Sequence, residues 1–551
     1  MTPAQLTEAL RAAVTAELAS RGRPADPDAV ADAVRLDRPP SPAHGDYAAN
    51  AALQLAAAAG LRPRDLAAAV AARLSLDPSV AEAQVAGPGF VNIRLTAAAA
   101  GRVAGHVVGL GADYGTAAAL AGRRINLEFV SANPTGPVTL ASVRWAAVGD
   151  ALARLLRAQG AEVATEYYFN DAGAQIDRFA ESLLAAARRE PPPEDGYKGA
   201  YVAEIAQVIA ARQPGAAEAN ALDTFRAEGV ALMFEEITSS LAGIGVHFDR
   251  YFSERTLHDG NALAAALARL EERGHVYYAD GAAWVATTAF GDDKDRVFRR
   301  SDGAYSYFGA DCAYYLDKRR RGFGTVMIVL GPDHHGYVGR MRAMAACFGD
   351  DPDETIEILI GQLVSLLRDG QPVRLSKRAG DVITLADLVT AIGADAARYA
   401  LARYSLDSPI DIDLELWTRR GSDNPVYYVQ YAHARICSLL RAAGRAGLDL
   451  GDSYEPALLS HDRERDLLRD LGDFPAVVAG AAELRQPHRV ARYLEQLAGS
   501  YHRFYDACRV LPADGAPGPA LSRARLWLAE AARIVLANGL GLLGVTAPEQ
   551  M

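Results

Sequence analysis

Residues 125–156 read INLEFVSANPTGPVTLASVRWAAVGDALARLL, and this stretch decides the fold. Ile125, Leu127 and Phe129 alternate with Asn126 and Glu128 as in a strand. Ser131 to Pro137 carry turn chemistry, and Val148, Leu152, Leu155 and Leu156 return at helical spacing. A strand, a tight turn and a helix are predicted. In a parallel α/β sheet such a unit puts its turn at the carboxyl edge, where ligands bind, and aims a helix amino terminus at any anion held there. The principal site is expected here.

Outward from this unit, the chain of 551 residues is too long for one core and suggests about three or four domains. With 50% hydrophobic and 23% charged residues it has ordinary soluble globular composition. Cys312, Cys347, Cys437 and Cys508 lie far apart with no CxxC pair, so neither a disulfide framework nor a protein-bound metal is indicated, and a reducing, cytoplasmic setting is expected. The amino terminus, MTPAQLTEALRAAV, reads as an amphipathic helix, and no long apolar run follows, so neither secretion nor membrane spanning is expected. A net charge of -11 does not advertise nucleic-acid binding; any RNA contact must come from local basic surfaces.

The central residues also carry a family likeness. Glu128-Phe-Val-Ser-Ala-Asn-Pro-Thr-Gly-Pro137, followed by Arg144 and Ala147-Val-Gly-Asp150, resembles the active-site entrance of bacterial arginyl-tRNA synthetases, class I enzymes that join arginine to its tRNA at the expense of ATP. The likeness extends to Ser41-Pro-Ala-His-Gly-Asp-Tyr47, Gly245 to Glu254, Gly331-Pro-Asp-His-His-Gly-Tyr-Val338 and Asn424 to Cys437, and so to essentially the whole chain. It implies a Rossmann-like α/β catalytic domain with an amino-terminal α/β extra domain and a carboxyl-terminal α-helical anticodon-binding bundle. The corresponding boundaries are 1–115 for a tRNA-contacting domain, 116–385 for the catalytic domain with a helical insertion at about 176–275, 386–421 for a stem-contacting linker and 422–551 for the bundle. A monomer acting on L-arginine, magnesium-bound ATP and tRNA(Arg) or arginyl-tRNA is implied.

Individual residues have a local reading beside the one the likeness gives. Gly87-Pro-Gly followed by Phe90, Val91, Ile93 and Leu95 is a turn into a strand. Asn170 and Asp171 are suited to capping a helix or to touching a ligand. Tyr307 and Asp311, four apart on a helix, offer a ring and a carboxylate on one face, which suits a planar guanidinium as well as an ordinary ion pair. The likeness assigns arginine binding to Glu128, Asn133, Tyr307 and Asp311, and places His335 in the segment walling the amino-acid and ribose pockets. Adjacent His334 and His335 point apart and make a poor metal pair. Lys318-Arg-Arg-Arg321 reads as a solvated basic face or an RNA phosphate contact. Arg374-Leu-Ser-Lys377 resembles the mobile Lys-Met-Ser-Lys loop, in which Ser376, Lys377 and Arg374 would meet the triphosphate. Tyr427, Tyr428 and Tyr431, with His433 and Arg435, mix rings and positive charge, as RNA stacking needs, while helical spacing turns half of them to the core; Tyr427, Tyr431 and Arg435 are the candidate tRNA contacts.

One feature of the likeness is absent. Where the family has His-x-Gly-His, this chain has Thr139, Leu140, Ala141 and Ser142, and Trp145 replaces a small residue. Pro134, Gly136, Ala141 and Trp145 border the implied nucleotide site. Trp145 either fills space meant for adenine or packs against the sheet. Thr139 and Ser142 still donate hydrogen bonds but carry no positive charge. Losing one transition-state donor costs on the order of a hundredfold in rate, and two are replaced. This favours an enzyme that holds arginine or arginyl-tRNA with adenylation impaired, repurposed to cyclise or transfer the activated arginine. The alternatives are a working arginine–tRNA ligase with an altered, inhibitor-tolerant ATP site and a non-catalytic tRNA-binding regulator.

Overall fold

The structure is a computed structural model and describes residues 1–23, 26–39, 41–171, 173–373, 383–512 and 518–551. The 125–156 stretch forms β1 (Arg124–Glu128) and α1 (Leu140–Ala158), and the chain returns as β2 (Glu162–Phe169). There follow α2 (Ala174–Ala187), α3 (Leu222–Gly243), β3 (Arg250–Ser253), α4 (Tyr307–Arg320), β4 (Thr325–Leu330) and β5 (Ile356–Ile360). These five strands make one parallel sheet in the order β5-β4-β1-β2-β3. From β1 the chain builds to β2 and β3 on one side, then crosses to β4 and β5 on the other. The reversal opens a crevice at the carboxyl ends of β1 and β4.

Both faces of β1 are covered, and even Asn126 and Glu128 are buried, as a central parallel strand requires. Helix α1 lies close on the sheet because Gly149 has no side chain: a Cβ there would stand 2.4 Å from the Phe129 ring. The segment at about 176–275 is helical at α2, Ala200–Arg212 and α3, yet the chain rejoins the sheet within it at β3. Four residues at a sheet edge are too few for periodicity to reveal.

The amino-terminal residues have their own core, from Leu6 to Ala99, under a four-stranded antiparallel sheet. The turn at Gly87-Pro-Gly89 joins the strands Val80–Ala86 and Phe90–Leu95, as its sequence indicates. The carboxyl-terminal part is helical, with α5 (Ala394–Ala402), α6 (Pro425–Arg445), α7 (Asp462–Glu483), α8 (His488–Ala507) and α9 (Pro519–Leu542). It shares a continuous core with the parallel sheet.

The junction is fixed by Arg398 on α5. Its buried guanidinium donates to Asp150 of α1, to the carbonyl of Ile244 after α3 at 2.6 Å and to the carbonyl of Leu543 after α9 at 3.1 Å. Among the described residues no helix is long and apolar enough to cross a membrane.

Candidate active site

The chain leaves β1 through a strained turn. Val130 and Ser131 have φ of 71° and 43°, a left-handed conformation that a β-branched valine rarely adopts. The neighbouring strand holds it there. The Ser131 hydroxyl donates to Glu128 at 3.0 Å and accepts from the Tyr168 amide at 3.1 Å, and the Tyr167 hydroxyl donates to the Ala132 carbonyl at 2.8 Å. Beyond it, the Asn133 amide donates to Gln175 at 2.7 Å and its oxygen accepts from the Asn170 amide at 3.0 Å. Pro134 is buried, and the Tyr201 hydroxyl reaches the Thr135 carbonyl beside Gly136.

On the β2–β3 side of this turn lies an acidic pocket. Tyr307 opens α4 at the mouth, 75% exposed, and Asp311 lies one turn deeper. Asp311 Oδ2 is shielded from water and has no hydrogen-bond partner among the described residues. Burial, with Glu128 and Glu254 nearby, pushes its pKa up to about 7 against the pull of Arg340. Glu254 follows β3 and accepts from the Tyr168 hydroxyl. Glu128 is already engaged, by Ser131 and by the Lys318 ammonium, which is 1% exposed and stands over the Tyr314 ring. A cavity of about 390 Å³ opens against this cluster, lined by Asn170, Glu254, Arg255, His258, Tyr305 and Tyr307 among others. Its lining includes the basic side chains Arg255, His258 and Arg300, with Arg255 turned toward Asp171 and His258 3.7 Å from Glu254. A guanidinium N–H is a donor suited to the shielded Oδ2 of Asp311.

Across the crevice stands the amino terminus of α1. Thr139 takes the cap position, but its hydroxyl makes no capping bond. The Leu140 amide is used by the Ile383 carbonyl at 2.8 Å, whereas the amides of exposed Ala141 and half-buried Ser142 have no partner among the described residues. Two amides without a partner among the described residues, at the positive end of a 19-residue helix and beside two hydroxyls, suit an anion. Arg144 anchors this turn from behind. Its buried guanidinium donates to the carbonyls of Gln362 and Ser408, both at 2.7 Å, and of Ser405 at 2.6 Å. Desolvation lowers its pKa to about 10. Trp145 is 6% exposed and packs on the backbone at Gly361, with Gly331 near its edge.

Several sequence expectations change in the structure. In the run 318–321 only Arg320 is exposed, and the other three cations are committed to carboxylates within the protein. Lys318 pairs with Glu128 of β1 and Arg321 with Glu166 of β2, because the end of α4 packs on the sheet, while Arg319 pairs with Asp350 in a loop and Arg321 also with Asp317 of α4 itself. Burial raises the Glu166 pKa, but the bonds from Arg321 and the nearby Lys318 outweigh it and leave that pKa lowered. Asn170 and Asp171 do not cap α2, whose cap is Gly173; Asp171 accepts from Ser253 at 2.8 Å. His335 is exposed beyond β4. Arg374, Ser376 and Lys377 lie outside the described residues. Glu254, Tyr168 and Arg340 were missed by sequence reasoning. Glu254 was legible in principle as a carboxylate one residue past a strand, but that strand lies within the stretch read as an insertion.

On the helical bundle, Tyr427 and Tyr431 stack at 6.0 Å, Tyr431 stacks on His502 at 5.8 Å, and Arg435 sits over Tyr505 at 4.1 Å. His433 turns inward and meets the Pro548 carbonyl at 2.9 Å.

A doubly wound parallel sheet with a helix amino terminus and an acidic pocket at its carboxyl edge, joined to an amino-terminal domain and a helical bundle, is the architecture of class I tRNA synthetases. Residues 251–403 match the family model for the class I (R) tRNA synthetase catalytic domain, residues 4–95 the arginyl tRNA synthetase N terminal domain and residues 429–551 the DALR anticodon binding domain. The arginine–tRNA ligase of Kineococcus radiotolerans is 57% identical over 554 residues and that of Frankia alni 58% over 557, each alignment covering all of both chains. The chain belongs to the arginyl-tRNA synthetase family. The solved arginyl-tRNA synthetase of Thermus thermophilus shares its fold, with a TM-score of 0.75, 24% identity and full coverage of both chains.

Proposed function

We propose that the protein attaches L-arginine to tRNA(Arg) at the expense of ATP, using an altered set of ATP contacts. The observation that carries this reading is the pairing, along one sheet edge, of a half-buried Asp311 whose water-shielded Oδ2 has no partner among the described residues with amides at Ala141 and Ser142 that likewise have none there. The first suits the guanidinium of the amino acid. The second suits the phosphates of its cosubstrate, with Thr139 and Ser142 hydroxyls in place of imidazoles. Full-length similarity to two arginine–tRNA ligases supports the same reading.

In this mechanism Asp311, with Glu254 and Tyr307 around it, orients the arginine so that its carboxylate faces the α-phosphorus. The α1 amides and hydroxyls take up charge on the nonbridging oxygens as pyrophosphate departs. Magnesium arrives with the triphosphate. Ser376, Lys377 and Arg374 would close over the leaving group, and Asn133 and His335 would border the amino-acid carboxylate and ribose. The domains divide the tRNA, with 1–115 at the elbow, 386–421 at the stem and 422–551 at the anticodon, where Tyr427, Tyr431 and Arg435 stack bases. The protein acts as a cytoplasmic monomer in this reading.

Purified protein with ATP, arginine and tRNA(Arg) should form arginyl-tRNA. The replaced histidines favour a second reading, in which activated arginine made elsewhere is cyclised or transferred. Failure to charge tRNA, with loss of the aminoacyl ester from preformed arginyl-tRNA in the absence of ATP, would establish that second reading and refute the first.

A further inference from the structure

We infer that Trp145 and Gly361 form a size-complementary pair that positions the first turns of α1 against the ends of β4 and β5, and thereby sets the ATP-facing geometry. The inference rests on the proposed ligase reading and extends it to residues that touch no substrate. Gly361 follows β5, and its amide donates to the Leu330 carbonyl at the end of β4, at 2.8 Å. A Cβ on Gly361 would lie 1.8 Å from Cζ3, 2.4 Å from Cη2 and 2.7 Å from Cε3 of Trp145. All three atoms belong to the benzo ring of a rigid indole, which has no flexible end to swing aside. The next glycine along the edge, Gly331, would carry a Cβ 3.8 Å from Cζ2 of the same ring. The indole therefore rests on backbone that only glycine leaves bare at position 361.

The helix has little freedom to retreat. Arg144, the preceding residue, is tied to carbonyls of Gln362, Ser405 and Ser408. One turn further along, a Cβ on Gly149 would stand 2.4 Å from the Phe129 ring, so the helix is already close on the sheet there. A methyl group at 361 must therefore displace the indole or lift the first turn of α1, at which Thr139, Ala141 and Ser142 stand. Misplacement by about an ångström at such donors costs on the order of a hundredfold in rate. The effect should fall on the ATP side, since Asp311 and Glu254 belong to other elements on the far side of β1.

The test compares Gly361→Ala, Trp145→Leu and the double variant by steady-state charging, with ATP, arginine and tRNA varied separately. Gly361→Ala should lower kcat/KM for ATP by about a hundredfold with KM for arginine within about threefold of wild type. Trp145→Leu removes the clashing ring atoms, so the double variant should regain ATP turnover relative to Gly361→Ala alone and should recover most of its loss in Tm. Arginine binding by Gly361→Ala, measured by equilibrium dialysis, checks that the variant is folded. Wild-type ATP kinetics in Gly361→Ala, equal losses for all three substrates, or no rescue in the double variant would each overturn the inference. A wild-type protein that consumes no ATP would instead overturn the ligase reading; the pair is then judged on the Tm cycle, where absence of rescue refutes it.

Discussion

Replacing Asp311 by asparagine should weaken arginine binding while improving the fold's tolerance of high pH. The carboxylate has a free, water-shielded oxygen, and burial beside Glu128 and Glu254 pushes its pKa to about 7 from 3.8. Truncating one partner of a buried charge pair costs about 2–5 kcal/mol, so KM for arginine should rise roughly 30- to 5000-fold, with KM for ATP nearly unchanged. Between pH 4 and 7 the folded protein holds a proton on Asp311 that the unfolded chain has lost, so this group's contribution to stability falls as pH rises, by up to about 1.4 kcal/mol per unit. The amide of the Asp311→Asn variant does not titrate and carries no such dependence. Melting curves of the two proteins should therefore converge or cross in favour of the variant as pH rises from 5 to 8. By the same logic wild-type KM for arginine should rise as pH falls below about 7, because the protonated acid no longer opposes the guanidinium. An Asp311→Asn enzyme with KM for arginine within threefold of wild type would refute the assignment of Asp311 to the guanidinium.

Other outcomes follow from the same physical arguments. Lys318→Met leaves Glu128 charged and buried without its partner, so unfolding free energy should fall by about 3–5 kcal/mol; adding Glu128→Gln should recover much of it in a denaturant titration. Arg398→Met leaves Asp150 with Arg154 alone and deprives the carbonyls of Ile244 and Leu543 of this donor, and should loosen α1 from the bundle, seen as faster hydrogen exchange around all three acceptors. Tyr431→Ala removes a ring stacked between Tyr427 and His502, and should raise KM for tRNA by about 5- to 150-fold, equivalent to about 1–3 kcal/mol per base, with arginine and ATP parameters unchanged.

Much of this architecture was legible in residues 125–156, because strand alternation, turn residues and helical spacing follow one another without a break. The Gly87–Gly89 hairpin and the aromatic face of α6 were legible for the same local reasons. Contacts between remote segments were not. Lys318 reads as part of a basic run until α4 is laid against β1, where its ammonium finds Glu128. Glu254 was hidden because β3 has four residues and is a strand only through pairing with β2. The pocket needs ends from β1, β2, β3 and α4, and no spacing along one segment encodes that convergence. The packing of Trp145 on Gly361, 216 positions away, was out of reach for the same reason.

The central claim is that the amino terminus of α1 still serves ATP without the two histidines. It is tested most directly by single-turnover formation of arginyl-tRNA by the wild-type protein and by Thr139→Val. Wild type should give ATP-dependent product, at a rate about 100-fold or more above that of the variant lacking the hydroxyl at 139. No arginyl-tRNA from the wild type, or equal rates for the two proteins, would contradict that claim.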